Sequence, residues 1–414
     1  MYSTLMAKLT HYLQLEYSVE KPLNREPPLK DLVQNFITKT ATAYDRNHGP
    51  LPHINGDTHT VRIDGLVKDT VHLSISQLRN DFPQHDVISA LQCAGNRRHT
   101  MRTELKEVDG IDWNDGAVCN CTWSGPLLCD VLSRIGLTME GDAHVAFSCH
   151  MTDCQEDRYY GSSISLARCM DPEMKVILAL DMNGAPLTIN HGFPLRIVIP
   201  GIAGARWTKW LDRITIQDEE SSNFYMQRDY KILPPEIDTR KKANDYWHKA
   251  KPLQKMPVNS AICYPTAGDT IFLDKLINGE LEIAGYALPK GDDGPVVKVE
   301  ISTDQGKTWD ESRILYPNPE ELCRSGAAEK YKWAWAIWQY KLPAEKTRKI
   351  DKSTKIWSRA TDKAGNIQKV EDIKWNFRGV GYNGFGETKN LTIIDTHDLS
   401  RKAGNMKLGN GYKA

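Results

Sequence analysis

The chain has 414 residues, and its 53 Lys and Arg are matched by 53 Asp and Glu, so the net charge is zero. That length exceeds what one hydrophobic core organises and predicts two or three domains, while the charge balance offers nothing to nucleic acid or to an anionic membrane, so any anion site must be local. Nine cysteines, odd in number and scattered, lack the paired spacing of a secreted disulfide framework and fit a reducing compartment.

Residues 1–50 are polar and punctuated by proline (Lys21-Pro22, Glu26-Pro27-Pro28), which predicts an extended arm lying on a larger body. Met1–Tyr17 has no apolar signal-peptide core and one basic residue, Lys8. Val61 and Ile63, then Val71, Leu73 and Ile75, alternate with polar residues around Lys68-Asp69-Thr70 and predict a hairpin. Ser124, Pro126 and the apolar series Leu127, Leu128, Val131, Leu132, Ile135 before Gly136 predict an amphipathic helix capped by Ser124.

Val176–Leu180 and Leu195–Ile199 read as strands flanking Asn183-Gly184 and His191-Gly192-Phe193-Pro194, inside a mixed α and β domain over 51–245. Asp238–Pro257 reads as a charged, helix-poor linker. Beyond it, over 246–414, short alternating strands (281–286, 296–302, 333–340, 355–360) separated by Asp304-Gln305-Gly306 and Lys363-Ala364-Gly365-Asn366 predict a β-sandwich. No run is long enough to cross a bilayer. The expected protein is soluble and intracellular, with cytoplasm, peroxisome and mitochondrial intermembrane space not distinguished, and Gly411-Tyr412-Lys413-Ala414 is not the Ser-Lys-Leu peroxisomal address.

The stretch Leu91-Gln92-Cys93-Ala94-Gly95-Asn96-Arg97-Arg98 carries the chemistry. A strand-like run ends in a cysteine beside two arginines; neighbouring cations favour the thiolate, which is a good nucleophile and a soft metal ligand. The plain alternative is a buried structural cysteine before a turn. Cys119-Asn120-Cys121 and the Cys149, Cys154 pair lack zinc-site spacing.

Leu91–Arg98 resembles the signature of the eukaryotic sulfite oxidases and assimilatory nitrate reductases, whose single cysteine ligand binds molybdenum. Four collinear segments resemble the same family: Arg46-Asn47-His48, His191–Arg196, Gly204–Leu211 and Gln227–Lys231; a fifth, Trp375–Val380, resembles the point where the C-terminal domain sends an arginine to the substrate. The resemblance covers nearly the whole chain. It implies an α+β protein, a mixed α/β molybdopterin-binding domain followed by an immunoglobulin-like sandwich that forms a homodimer, with Trp333, Trp335 and Trp338 as candidate dimer surface or sandwich core.

Cys93 is then the molybdenum ligand, with one molybdopterin per metal. Asn47, His48, His191, Arg196, Arg206, Thr208 and Lys209 match cofactor contacts, as a phosphate and a hydrogen-bond-rich pterin require. Arg46, Arg98 and Arg378 match an oxyanion pocket, Trp113 its lining and Tyr230 a phenol at the reacting oxygen. One residue is inserted between Cys93 and Trp113 relative to the family's usual spacing, Asp229 has no assigned role, and Thr152-Asp153 aligns poorly with the family's loop acid.

The implied activity is oxidation of sulfite to sulfate, with electrons passing to oxygen or an external carrier. No His-Pro-Gly-Gly haem motif occurs, so neither haem nor flavin is expected. The alternatives are the molybdenum domain of a eukaryotic-type nitrate reductase, disfavoured because the resemblance implies an apolar residue there in place of Arg378, and a non-catalytic, dimerising cofactor-binding protein.

Overall fold

The computed structural model describes residues 17–139, 141–317 and 327–396. Met1–Glu16 of the Met1–Tyr17 reading, Cys323 and Gly411–Ala414 lie outside these residues.

The first half of the chain builds its sheets from seven main strands: β1 (Thr60–Gly65), β2 (Val71–Ser74), β3 (His85–Gln92), β4 (Val118–Gly125), β5 (His144–Cys149), β6 (Tyr160–Ser165) and β7 (Arg213–Gln217). β1 and β2 form the expected hairpin, Val61 opposite Leu73, and join a five-stranded mixed sheet in the order β2-β1-β7-β5-β6. Only β1 and β7 run parallel there. Val61, Ile63, Val145, Phe147, Ile214 and Ile216 are fully buried from this sheet, the alternation that a half-covered sheet requires.

β3 and β4 pair antiparallel along their whole length and are extended by the short strand Asp181–Met182. That strand turns through Asn183 (φ 56°) and Gly184 (φ 76°), a tight hairpin turn that Asn-Gly supplies at little steric cost. Helix α1 (Arg98–Glu104) follows β3, and α2 (Leu128–Ile135) buries Leu128, Val131 and Leu132 before Gly136 (φ 81°) ends it. Ser124 does not cap α2. It belongs to β4 and hydrogen-bonds Asp86, and the helix starts from Leu127 without a side-chain cap.

The second half carries two four-stranded antiparallel sheets built around β8 (Asn259–Tyr264), β9 (Leu281–Leu288), β10 (Val296–Ser302), β11 (Ala336–Leu342) and β12 (Ile356–Asp362). Ile262, Ile283, Trp338 and Leu342 from one sheet meet Val299, Ile301, Ile356 and Ala360 from the other in one core, which is the expected sandwich. The architecture is α+β throughout. The segment read as a helix-poor linker contains the helix Arg240–Asn244 and a 3-10 turn at Trp247–Lys249, because Ala243 and Trp247 are buried against Leu233. No helix of the described residues is long and apolar enough to cross a membrane, and their eight cysteines are all free.

The tryptophan run is not an open surface. Trp335 stacks on Tyr286 and donates to Phe36 O at 2.8 Å, Trp338 is buried in the sandwich, and Trp333 packs into the first core and donates to Asp292 at 3.0 Å. The three side chains serve the interior, as the alternation along β11 and its approach allows. The arm crosses both halves: Leu32 is buried and Phe36 meets Tyr316 and Tyr331 edge-on.

Arg97 fastens the two halves together. With φ 66° it sits in the left-handed region, which turns its guanidinium away from that of Arg98. It donates to Asn259 Oδ1 and Gly384 O at 2.6 Å, Ser260 O at 2.8 Å and Phe385 O at 2.6 Å. Arg97→Met strands three buried acceptors and a part-buried one, so we expect a loss of roughly 3–5 kcal/mol in unfolding free energy, and Arg97→Lys should not restore it because an ammonium cannot reproduce the planar fork. Chemical denaturation of both variants checks this; a loss below about 1 kcal/mol, the range of exposed pairs, would rule out the clamp.

Candidate active site

Cys93 follows the last residue of β3. Its N–H donates to Ala117 O at 2.9 Å and its carbonyl accepts from Asn96 N at 3.0 Å, so a turn closes directly behind the thiol. Asn96 locks that turn, donating to Tyr286 Oη at 2.9 Å and accepting from Ala117 N at 3.1 Å. Arg98 opens α1 and folds back: Nη1 donates to Ile111 O at 2.6 Å and Nε to Arg378 O at 3.0 Å. It lies in a slot walled by glycines, where a Cβ on Gly95 would meet the guanidinium at 2.5 Å, one on Gly110 at 2.6 Å and one on Gly379 the side-chain stem at 2.7 Å. Gly379 also needs φ 55°.

A cleft of about 770 Å³ opens over this turn, lined by Cys93 and by residues of several other segments. The end of the arm gives Arg46, Asn47 and His48; the 3-10 turn Ile189–His191 gives Asn190 and His191; the short strand Arg196–Val198 gives Arg196 and the loop after it Lys209 and Trp210; Tyr230 closes one side. Lys209 Nζ donates to Asn47 Oδ1 and, at 2.7 Å, to Asn190 O. Burial first, then the nearby Arg196, lowers this lysine to about 7. Arg196 donates to His191 O at 2.9 Å and Trp207 O at 3.2 Å, and burial lowers it to about 10.

Tyr230 follows a π-helical turn, Tyr225–Asp229, an element often found at functional sites. Its hydroxyl lies 2.7 Å from His48 Nε2, and His48 Nδ1 lies 3.1 Å from Arg46 Nη2. Arg46 can only donate, so Nδ1 accepts, the ring proton sits on Nε2 and points to the Tyr230 oxygen. The phenol's own proton is thereby left free for another acceptor. Burial lifts Tyr230 to about 12, so it stays protonated.

Arg378 arrives from the second half. Nη1 pairs with Asp109 Oδ2 at 3.0 Å and Nη2 with Asp229 Oδ1, which gives Asp229 its role as a partner of this guanidinium. Trp113 is buried and meets Tyr44 edge-on at 6.5 Å. Neither Arg98, Arg378 nor Trp113 lines the cleft itself; they stand behind its wall.

Two of the expected cofactor contacts are set apart from the cleft. Arg206 donates to Leu253 O, Tyr225 O and Tyr230 O at 3.1, 3.0 and 3.2 Å, and Thr208 shares a 3.1 Å hydrogen bond with Ser162. Both side chains are consumed inside the protein, and Arg206 holds the π-turn and Tyr230 in place. Thr152 and Cys154 line the cleft mouth although the sequence reading gave them no role there; Asn190 and Trp210, flanking His191 and Lys209, were also missed.

The donor set fits a large polar cofactor. Of the cleft-lining residues, His191 Nε2 and Arg196 Nε are buried without a hydrogen-bond partner, and such atoms call for a partner from outside the chain. His191 Nδ1 is already engaged by Thr188 Oγ1 at 2.7 Å.

Two imidazoles give the site a pH signature. Burial, with Arg46, Arg378 and Lys209 nearby, holds His48 well below its ordinary value, and burial with Lys209 and Arg196 holds His191 at about 3. The unfolded chain protonates both near pH 6.5 while the folded chain does not, so stability is lost as pH falls through about 6.5. Each histidine contributes a slope of up to about 1.4 kcal/mol per pH unit below that point. Urea denaturation from pH 7.5 to 4.5, ranges set about the ordinary histidine value, should show a shallower decline for His191→Gln than for the parent; parallel curves would contradict a buried neutral His191.

The family model described as the oxidoreductase molybdopterin binding domain matches residues 48–225, and the Mo-co oxidoreductase dimerisation domain matches 250–389. The sulfite oxidase of Arabidopsis thaliana is 37% identical over 378 residues, covering 88% of this chain and 91% of the relative. The chain belongs to the sulfite oxidase family of molybdopterin oxidoreductases. The mitochondrial sulfite oxidase of Homo sapiens is 40% identical over 370 residues, and the match takes in 88% of this chain but 64% of that relative. In fold, this family member is similar to the sulfane dehydrogenase SoxCD of Paracoccus pantotrophus, with a TM-score of 0.68, 24% identity and coverage of 87% and 82% of the two chains. Of the residues drawn together here, Cys93, His191, Arg196 and Lys209 fall in the molybdopterin-binding match and Arg378 in the second; Arg46, Asn47 and Tyr230 lie outside both.

Proposed function

We propose that the chain oxidises sulfite to sulfate at a molybdenum ligated by Cys93. The observation that carries the reading is the convergence of a buried thiol, the Arg46 and Arg196 guanidiniums and a protonated phenol on one cleft, with Arg98 and Arg378 behind its wall. When bound, the molybdenum–molybdopterin group supplies oxygen-atom transfer and takes up the two electrons. Asn47, His48, His191, Arg196 and Lys209 would hold its polar parts, Lys209 and Arg196 as the cations and Arg196 Nε and His191 Nε2 as buried nitrogens open to a partner. Cys93 would provide a soft thiolate suited to a polarizable metal.

Arg46 would bind the incoming oxyanion through charge-assisted hydrogen bonds, and Arg98 and Arg378 would add positive potential from behind the cleft wall. Tyr230, its oxygen held by His48, would aim its proton at the reacting oxygen and stabilise charge there. Within the same proposal the chain divides into an arm (1–50), a catalytic domain (51–245) and a dimerising sandwich with its tail (246–414), acts as a soluble intracellular homodimer, and passes electrons to oxygen or an external carrier. Purified protein should contain stoichiometric molybdenum and turn over sulfite but not nitrate when the two are assayed side by side. Nitrate turnover in place of sulfite would move the reading to a nitrate reductase, and protein free of molybdenum and inactive would favour a binding module.

A further inference from the structure

We propose that Asp109 determines the anion affinity of this site: its carboxylate offsets the positive potential that the Arg378 guanidinium offers a bound oxyanion. The inference rests on reading the cleft as an oxyanion pocket. Both terminal nitrogens of Arg378 are taken by carboxylates, but the two acids differ in place. Asp229 is next to Tyr230 in the chain and its side chain is 11% exposed; that of Asp109 is 33% exposed, at the rim. The same Asp109 oxygen that meets Arg378 also accepts from Arg240 Nη2 at 2.8 Å, and Arg240 is 65% exposed. One carboxylate therefore stands between a guanidinium behind the cleft wall and one in solvent.

The backbone fixes Asp109 in that position. Its N–H donates to Phe377 O at 2.8 Å, one residue before Arg378, and two residues further on Ile111 O accepts from Arg98. A three-residue strip thus touches two of the arginines proposed to attract the anion, one through a carboxylate and one through a carbonyl. It lies in the stretch between Cys93 and Trp113 that carries the inserted residue.

A carboxylate on Arg378 reduces the positive potential that an incoming dianion meets, and Arg240 draws part of that negative charge outward. Removing Asp109 should therefore tighten anion binding, and removing Arg240 should weaken it only while Asp109 is present. A merely structural Asp109 predicts the opposite sign, because a loosened Arg378 binds anions less well. The sign separates the two roles.

The test is calorimetric titration of the molybdenum-loaded protein with sodium sulfate at low and high ionic strength. Asp109→Asn should bind sulfate about three- to tenfold tighter at low salt, with the gain shrinking at high salt. Asp109→Glu should stay within about twofold of the parent, and Arg240→Gln should bind roughly two- to threefold more weakly, a loss that disappears in the Asp109→Asn background. In steady state Asp109→Asn should lower KM for sulfite and lower kcat as well, since sulfate leaves more slowly. Unchanged or weaker sulfate binding by Asp109→Asn overturns the inference while leaving the oxyanion pocket standing. Parent protein that takes up no sulfate overturns the pocket itself, and the inference with it.

Discussion

Cys93→Ser should leave a folded protein that does not oxidise sulfite. The turn behind residue 93 is closed by backbone groups and by Asn96, none of which uses the sulfur, so the fold tolerates the change at a cost of about 1 kcal/mol for a buried hydroxyl. The metal does not tolerate it, because a hydroxyl is a hard and poorly ionised replacement for a thiolate. We expect turnover to fall by at least about a hundredfold, with pterin retained through contacts such as His191 and Lys209. Sulfite kinetics, molybdenum and pterin content, and denaturation on one preparation check all three statements. Substantial sulfite oxidation by the serine variant would remove Cys93 from the metal.

Arg378→Met should lower kcat/KM for sulfite by roughly tenfold to a hundredfold, the equivalent of losing about 1.5–3 kcal/mol of charge stabilisation at the site. The structure argues for the upper part of that range. Methionine removes a cation and also leaves Asp109 and Asp229 facing the site without their shared counter-charge, so an approaching anion meets repulsion where it met attraction. Molybdenum content should be unchanged, since Arg378 does not line the cleft. Kinetics indistinguishable from the parent would take away the main ground for preferring sulfite to nitrate.

The sequence exposes those features whose cause is local. The β1/β2 hairpin, the sandwich strands and the end of α2 at Gly136 follow from alternation, helical spacing and a left-handed glycine, and the structure has them within a few residues of expectation. Ser124 was misread because pairing of β4 with β3 extends to Gly125 and overrides a local capping signal. The helix at 240–244 was missed because its stability comes from burying Ala243, a tertiary contact.

Within the site, residue type was legible and side-chain destination was not. Arg97 and Arg98 are neighbours with identical side chains, yet one guanidinium reaches the sandwich and the other stays behind Cys93, a divergence set by a single φ of 66°. Arg206 looks like a phosphate ligand in sequence and instead satisfies three carbonyls. Asp109 gave no signal, because its significance lies in a pairing with a residue far along the chain.

The Arg97 clamp also sets an order on biosynthesis. Gly384, one of its acceptors, lies 287 residues further along the chain, so a ribosome releases the Cys93 turn long before it makes the carbonyls that fasten it. Until then a guanidinium meant for the interior stands in water and the turn behind the thiol lacks its brace from Tyr286 as well. On the proposed function, loading of the metal would follow completion of the polypeptide, and an N-terminal fragment, however well its own sheets form, should not mature into a loaded centre.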